Sequence, residues 1–155
     1  MSSPHDFDFF HGEWDVLNRR RTDFLDPDSD WEEFPATHRC WPLFDGAANI
    51  DEIDMPHPGS KGLTLRLFDR ETEQWSLNWS SSRSGKLFPP VVGRFEGDRG
   101  EFYGDDTHDG KDVRVRFMWS RVSKRAARWE QAFSTDGGET WVTNWIMEFS
   151  RPTTA

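Results

Sequence analysis

Large side chains recur at every second position along much of this chain. Trp75, Leu77 and Trp79 alternate with Ser76, Asn78 and Ser80, and the same beat returns in Val115/Phe117/Trp119, Trp129/Gln131/Phe133 and Trp141/Thr143/Trp145/Met147/Phe149. Successive side chains of a β-strand point to opposite faces, so each run lays a row of rings on one face and polar groups on the other. Several such rows need a shared interior. Apolar residues make up only 34% of the chain but aromatic ones 15%, which concentrates burial into a few bulky rings. The expected fold is all-β.

At 155 residues the chain fits a single domain, 1–155, and folding would bury roughly 70% of the extended surface. A formal charge of −9 repels a phosphate backbone, and the one basic triplet, Arg19-Arg20-Arg21, is followed by Asp23 and Asp26. No nucleic-acid partner is expected. The opening Met-Ser-Ser-Pro-His-Asp-Phe-Asp has no positive or apolar leader region, and no stretch approaches the ~20 apolar residues of a membrane span. The expectation is a soluble, cytoplasmic protein without a membrane partner. Cys40 is the only cysteine, so no intrachain disulfide forms, and it reads as a small buried hydrophobe.

Turn residues punctuate the chain at the short spacing of an all-β barrel or sandwich. Strands are predicted over 13–21, 32–41, 46–53, 62–69, 74–80, 91–96, 100–105, 112–121, 127–134 and 140–149. Phe7 and Phe10 can share one side of a short helical turn that plugs a barrel end. Asp109-Gly110 is the dipeptide favoured where both hairpin residues need positive φ. The stretch from Ser134 to Trp141 resembles the Asp-box hairpin of sialidases, which is structural there and implies no catalysis. Trp75-Ser-Leu-Asn78-Trp79 and Trp141-Val-Thr-Asn144-Trp145 share the pattern W-x-x-N-W, which convergence on the same lining demand explains.

Gly12-Glu13-Trp14, after the short turn and at the start of the first strand, resembles the opening of the calycin barrels, which include lipocalins and fatty-acid-binding proteins. In lipocalin-like members this Trp closes the barrel floor beneath an Arg near the end of the last strand, and Arg151 is placed to match. The runs Phe-His-Gly-Glu-Trp-Asp-Val, Thr-Leu-Arg-Leu-Phe-Asp and Arg-Trp-Glu-Gln-Ala-Phe-Ser are similar to those of uncharacterised bacterial proteins of that group. The resemblance implies an antiparallel up-and-down β-barrel of about ten strands and brings no activity. Haem-binding members use a late axial His, whereas the last His here is His108; fatty-acid binders use an Arg and Tyr pair near the C-terminus, whereas the only Tyr is Tyr103. Neither ligand is implied, and no cofactor is expected.

With the aromatic face inward, the lining comprises Trp14, Val16 and Asn18, then Phe34, Ala36, His38 and Cys40, then Leu63, Leu65 and Leu67, followed by the later aromatic rows. The candidate ligand-binding residues are Asn18, His38, Trp75, Trp79, Phe117, Trp119, Trp129, Gln131, Thr143 and Trp145. Asn18, His38, Gln131 and Thr143 are the polar members of that lining; few polar groups in an apolar wall is the composition of a ligand pocket, and also of a filled core whose polar groups bond one another. His38 is the natural acid or base if there is chemistry, and more simply a satisfied core histidine. His38 and Cys40 have no third ligand for zinc, and the turn Asp105 to Asp112 has Arg116 where a calcium loop needs Glu. Arg66, Arg116, Glu130 and Glu148 are expected on the outer face.

These features point to binding of a small, largely apolar or aromatic molecule. The alternatives are a cyclase or isomerase that encloses a reactive intermediate, and a filled barrel with a structural or interaction role. Val142 and Ile146, expected on the outer face of the last strand, suggest a homodimer contact.

Overall fold

The tryptophan rows face inward. In the computed structural model, which describes residues 2–153, Trp75 and Trp119 are 0% and 1% exposed. Around them the described residues form ten antiparallel strands: β1 Gly12–Arg21, β2 Trp31–Leu43, β3 Ala48–Met55, β4 Ser60–Asp69, β5 Gln74–Ser81, β6 Val91–Glu96, β7 Arg99–His108, β8 Lys111–Ser120, β9 Ala126–Ser134 and β10 Val142–Ser150. Each pairs with the next, and β10 returns to β1 from Asp15↔Ser150 to Arg20↔Trp145. The sheet is a closed barrel with no free edge, the arrangement of the calycin-like folds. Among the described residues no helix is long and apolar enough to cross a membrane.

One end is sealed by the chain's own start. The 3-10 turn Asp8–Phe10 carries Phe10 into the floor, and Phe7 just before it meets Trp75 and Phe95 edge-on at 4.9 and 5.0 Å between centroids. Phe10 packs on Trp119 and Phe149 at 4.7 and 5.2 Å. Trp14 lies beside this plug and donates its indole N–H to the Phe10 carbonyl at 2.9 Å. At the opposite end β5 and β6 pair over only Trp75↔Gly93, Ser76↔Val92 and Leu77↔Val91, and a chamber there is ringed by Phe24, Pro58, Arg83, Phe88 and His108. The segment between them crosses the mouth, tied back by the Phe88 N–H to the Trp79 carbonyl.

Both hairpin signals hold. Asp109 and Gly110 have φ of 50° and 78° between His108 and Lys111, as the twist of a two-residue turn requires. At the Asp-box hairpin, Asp136 accepts from the amides of Glu139 and Thr140 and from the Ser134 hydroxyl. Those donors favour the carboxylate and hold it well below the usual range, the Ser134 hydroxyl foremost.

Strand β4 has the reverse orientation to that expected. Leu63 and Leu67 are each 37% exposed, while Gly62, Thr64 and Arg66 face the interior. The register with β5 decides this: Thr64↔Trp79, Arg66↔Leu77 and Phe68↔Trp75 are opposed pairs, and opposed residues share a face. Inward indoles on β5 therefore turn the leucine row of β4 outward. A Cβ at Gly62 would lie 2.0 Å from the Trp79 ring, so glycine makes room for that indole.

Strand β10 breaks its period. A bulge between Thr143 and Trp145 sets Thr143 opposite Ala132 and Trp145 opposite Gln131, leaving Asn144 unopposed. Asn144 is fully buried and accepts from the Gln131 amide at 2.9 Å. Thr143 and Trp141 fall outside, where the Arg116 guanidinium stacks on Trp141 at 4.7 Å. The two W-x-x-N-W segments are thus not equivalent, since Trp75 is in the core. Of the two residues expected on the outer face of β10, Ile146 is there, opposite Arg19 and Glu130 and covered to 6% exposure, whereas Val142 is opposite the inward Phe133, so no exposed apolar stripe runs along the strand.

Candidate functional site

The interior divides into a floor of packed rings, a buried polar layer above it, and a chamber open at the mouth. The polar layer comes from β2, β3 and β4. His38 extends from β2, and its Nε2 lies 3.0 Å from Asp51 Oδ2 on β3. The same oxygen accepts from Arg66 of β4 at 2.7 Å, and the other Asp51 oxygen accepts the Thr64 amide at 2.9 Å. Arg66 also donates to Asn49 Oδ1 at 2.8 Å, and its guanidinium lies over Phe7 and Phe10 at 5.3 and 5.0 Å from the ring centroids. All four side chains are buried.

Taking charges out of water costs several kcal/mol per ion, so this pair persists only because Asp51 and Arg66 satisfy each other at close range. Burial by itself would raise the Asp51 carboxyl; Arg66 and His38 outweigh it and hold the group below its ordinary value, ionised at neutral pH. An ionised Asp51 accepts the His38 Nε2–H, so in the neutral imidazole the proton sits on Nε2 and Nδ1 is an acceptor. Below, burial first pushes the Cys40 thiol up to about 12, which makes it an inert core group.

Above this layer lies a cavity of about 40 Å³ walled by His38, Asp51, Arg66, Trp119, Trp129 and Trp145, among others. Leu77, Trp79, Phe117, Gln131 and Trp145 line both this cavity and a mouth chamber of about 300 Å³. The mouth chamber also has Phe24, Phe88, Val115 and Phe133 in its wall, with Arg20 and Arg83 at its rim. The Arg20 guanidinium lies over Phe34 and Trp145 at 5.0 and 5.1 Å. Trp145 stands at the junction, edge-on to Trp79 at 6.1 Å and to Trp129 at 5.6 Å. Asn18 accepts its indole N–H at 2.9 Å and thereby sets the ring.

Of the residues expected to bind a ligand, His38, Trp79, Phe117, Trp119, Trp129, Gln131 and Trp145 meet around the cavity. Asn18 sits behind Trp145 as its hydrogen-bond partner, and Trp75 is sealed into the floor against Phe7. Thr143 lies on the outer face beyond the bulge. Arg66, expected outside, is the inward cation. Asp51 and Asn49 were not anticipated, and their one signal is the alternation of Asn49 and Asp51 with Ile50 and Glu52, which either face of a strand would accommodate. Glu130 and Glu148 are outside as expected, both paired with Arg128.

No family model matches this chain, and no curated protein matches it. Among solved structures, the S-type phycobiliprotein lyase CPES from Guillardia theta aligns over 100% of this chain and 95% of its own, with 12% identity and a TM-score of 0.42.

Proposed function

We propose that this protein binds a small, largely apolar or aromatic organic molecule in the tryptophan-lined interior, entering through the barrel end opposite the plug. The observation that carries the reading is the pair of adjoining spaces that share Trp79, Phe117 and Trp145 in their walls. A chamber of about 300 Å³ is at the lower end of the roughly 300–1,000 Å³ typical of ligand pockets. Its wall is more apolar than polar, and Arg20, Arg83, Asp106, Thr107 and His108 are among the polar residues available to orient a guest.

Fluorescence titration of the full chain with an apolar naphthalene-based dye tests this. Trp79→Ala is expected to weaken binding about tenfold or more through lost ring contact, and Glu148→Ala, on the outer face, to leave it unchanged. The reverse pattern would place the ligand elsewhere.

The contact between His38 and Asp51 favours a second reading, an isomerase or cyclase, because a carboxylate-oriented imidazole beside a cavity is how a proton acceptor is held. A ligand recovered chemically unchanged after prolonged incubation supports binding over turnover.

A further inference from the structure

Three buried polar atoms of residues that wall the inner cavity have no hydrogen-bond partner among the described residues: His38 Nδ1, Arg66 Nε and Trp119 Nε1. Their residues are 3%, 4% and 1% exposed. An unmatched polar atom in an apolar interior is costly. The His38 and Trp119 rings flank the same two phenylalanines. Phe10 is 4.6 Å from His38 and 4.7 Å from Trp119, and Phe149 is 5.3 and 5.4 Å from them, centroid to centroid.

Their hydrogen-bonding characters differ. An indole or guanidinium N–H only donates. In the neutral ring His38 Nδ1 only accepts, because the proton lies on Nε2 and is donated to Asp51, which Arg66 holds ionised. The polar layer thus does more than neutralise itself: it fixes the tautomer that puts an acceptor in the same cavity lining as the donors. The cavity of about 40 Å³ has room for a small polar group, since one water-sized probe needs roughly 10–15 Å³. A carbonyl or ether can use only the two donors and leaves His38 Nδ1 unmatched, and an ammonium can use only the imidazole. A hydroxyl matches both kinds, donating to His38 Nδ1 and accepting from Trp119 Nε1–H and Arg66 Nε–H.

We infer that the inner cavity is a hydroxyl-recognition subsite, and that the ligand is a hydroxylated aromatic molecule whose ring lies among Trp79, Phe117 and Trp145 while its hydroxyl reaches His38 and Trp119. This rests on the apolar-ligand reading above and adds the polar group that orients the guest. A site built to hydrogen-bond a hydroxyl discriminates strongly against an analogue without one, because its own polar atoms are then left unpaired.

Equilibrium dialysis of the full chain against 2-naphthol, 2-methoxynaphthalene and 2-methylnaphthalene tests it. The naphthol is the most water-loving of the three, so partitioning into an apolar cavity would rank it last. The expected result is 2-naphthol binding about tenfold or more tightly than either analogue. The methyl ether, which can accept from the donors but cannot donate to His38, falls between the naphthol and the hydrocarbon. Trp119→Phe keeps a ring in place but removes the N–H, and should erase most of the preference while changing 2-methylnaphthalene binding less than about threefold. The three-ligand comparison uses the unaltered protein, so it decides the matter even where Trp119→Phe fails to fold. Hydrocarbon binding as tightly as the naphthol overturns the subsite and leaves the apolar-ligand reading standing. Binding of none of the three overturns both.

Discussion

The Arg151 guanidinium carbon lies 3.6 Å from the centroid of the Trp14 ring, joining the end of the last strand to the start of the first. The same guanidinium donates to the carbonyls of Phe9, His11, Glu13 and Lys124 at 2.9–3.0 Å. One side chain therefore holds the plug, the first strand and the β8–β9 connection against the floor. The pairing of Gly-x-Trp with a late Arg has a physical basis here: a planar cation with five donors can stack on an indole and still satisfy carbonyls around its rim.

Trp14→Ala should lose about 3–5 kcal/mol in urea melts, as a large-to-small change in a packed floor. Arg151→Ala should lose about 2–3 kcal/mol, and Arg151→Lys should recover little of it, because a point charge cannot replace the fork of donors. Full recovery by lysine would show that charge alone, and not the stacked geometry, secures the floor.

Asp51→Asn leaves Arg66 buried without its counter-charge and should cost about 3–5 kcal/mol. The sign of the pH dependence follows from the lowered carboxyl. Its contribution is complete above the ordinary carboxylate value near pH 4 and is lost as the pH falls through the lower folded value. Stability curves measured from pH 7 to pH 2 should therefore decline less steeply for Asp51→Asn than for the unaltered protein. Parallel acid limbs would mean that other carboxyls govern acid unfolding.

Gly62→Ala places a methyl group inside the Trp79 ring and should destabilise by about 1–3 kcal/mol, as overpacking does. Because the displaced indole lines the ligand chamber, dye affinity should fall together with stability. A Gly62→Ala protein with unchanged melting and unchanged dye binding would be incompatible with the β4–β5 register described above.

Cys40 should resist Ellman's reagent at pH 8 in the folded protein and react within minutes in denaturant. Its thiol is buried and pushed up to about 12, so almost no thiolate exists to attack. Rapid reaction under native conditions would show that the floor opens readily.

Much of this architecture was legible in the residues themselves, because strand alternation is local. Trp75, Leu77 and Trp79 define one face of β5 whatever they pack against, and all ten predicted strands coincide with observed ones to within a few residues. Asp109-Gly110 and the Ser134 to Trp141 hairpin are likewise short-range, set by backbone conformations that few residues adopt. The aromatic half of the candidate site follows from the same rows.

The polar half depended on register, which a linear sequence does not display. The leucines at 63, 65 and 67 make a plausible inward row until the indoles of β5 claim the interior, and opposed pairing then turns Thr64 and Arg66 inward instead. One inserted residue on β10 moved Thr143 out and Asn144 in. The alternation of side chains thus determined that there would be a closed, ring-lined barrel. Only the tertiary structure decided which charges it encloses, because a buried Arg66 is tolerable solely where Asp51, two strand positions and one neighbouring strand away, arrives within 2.7 Å.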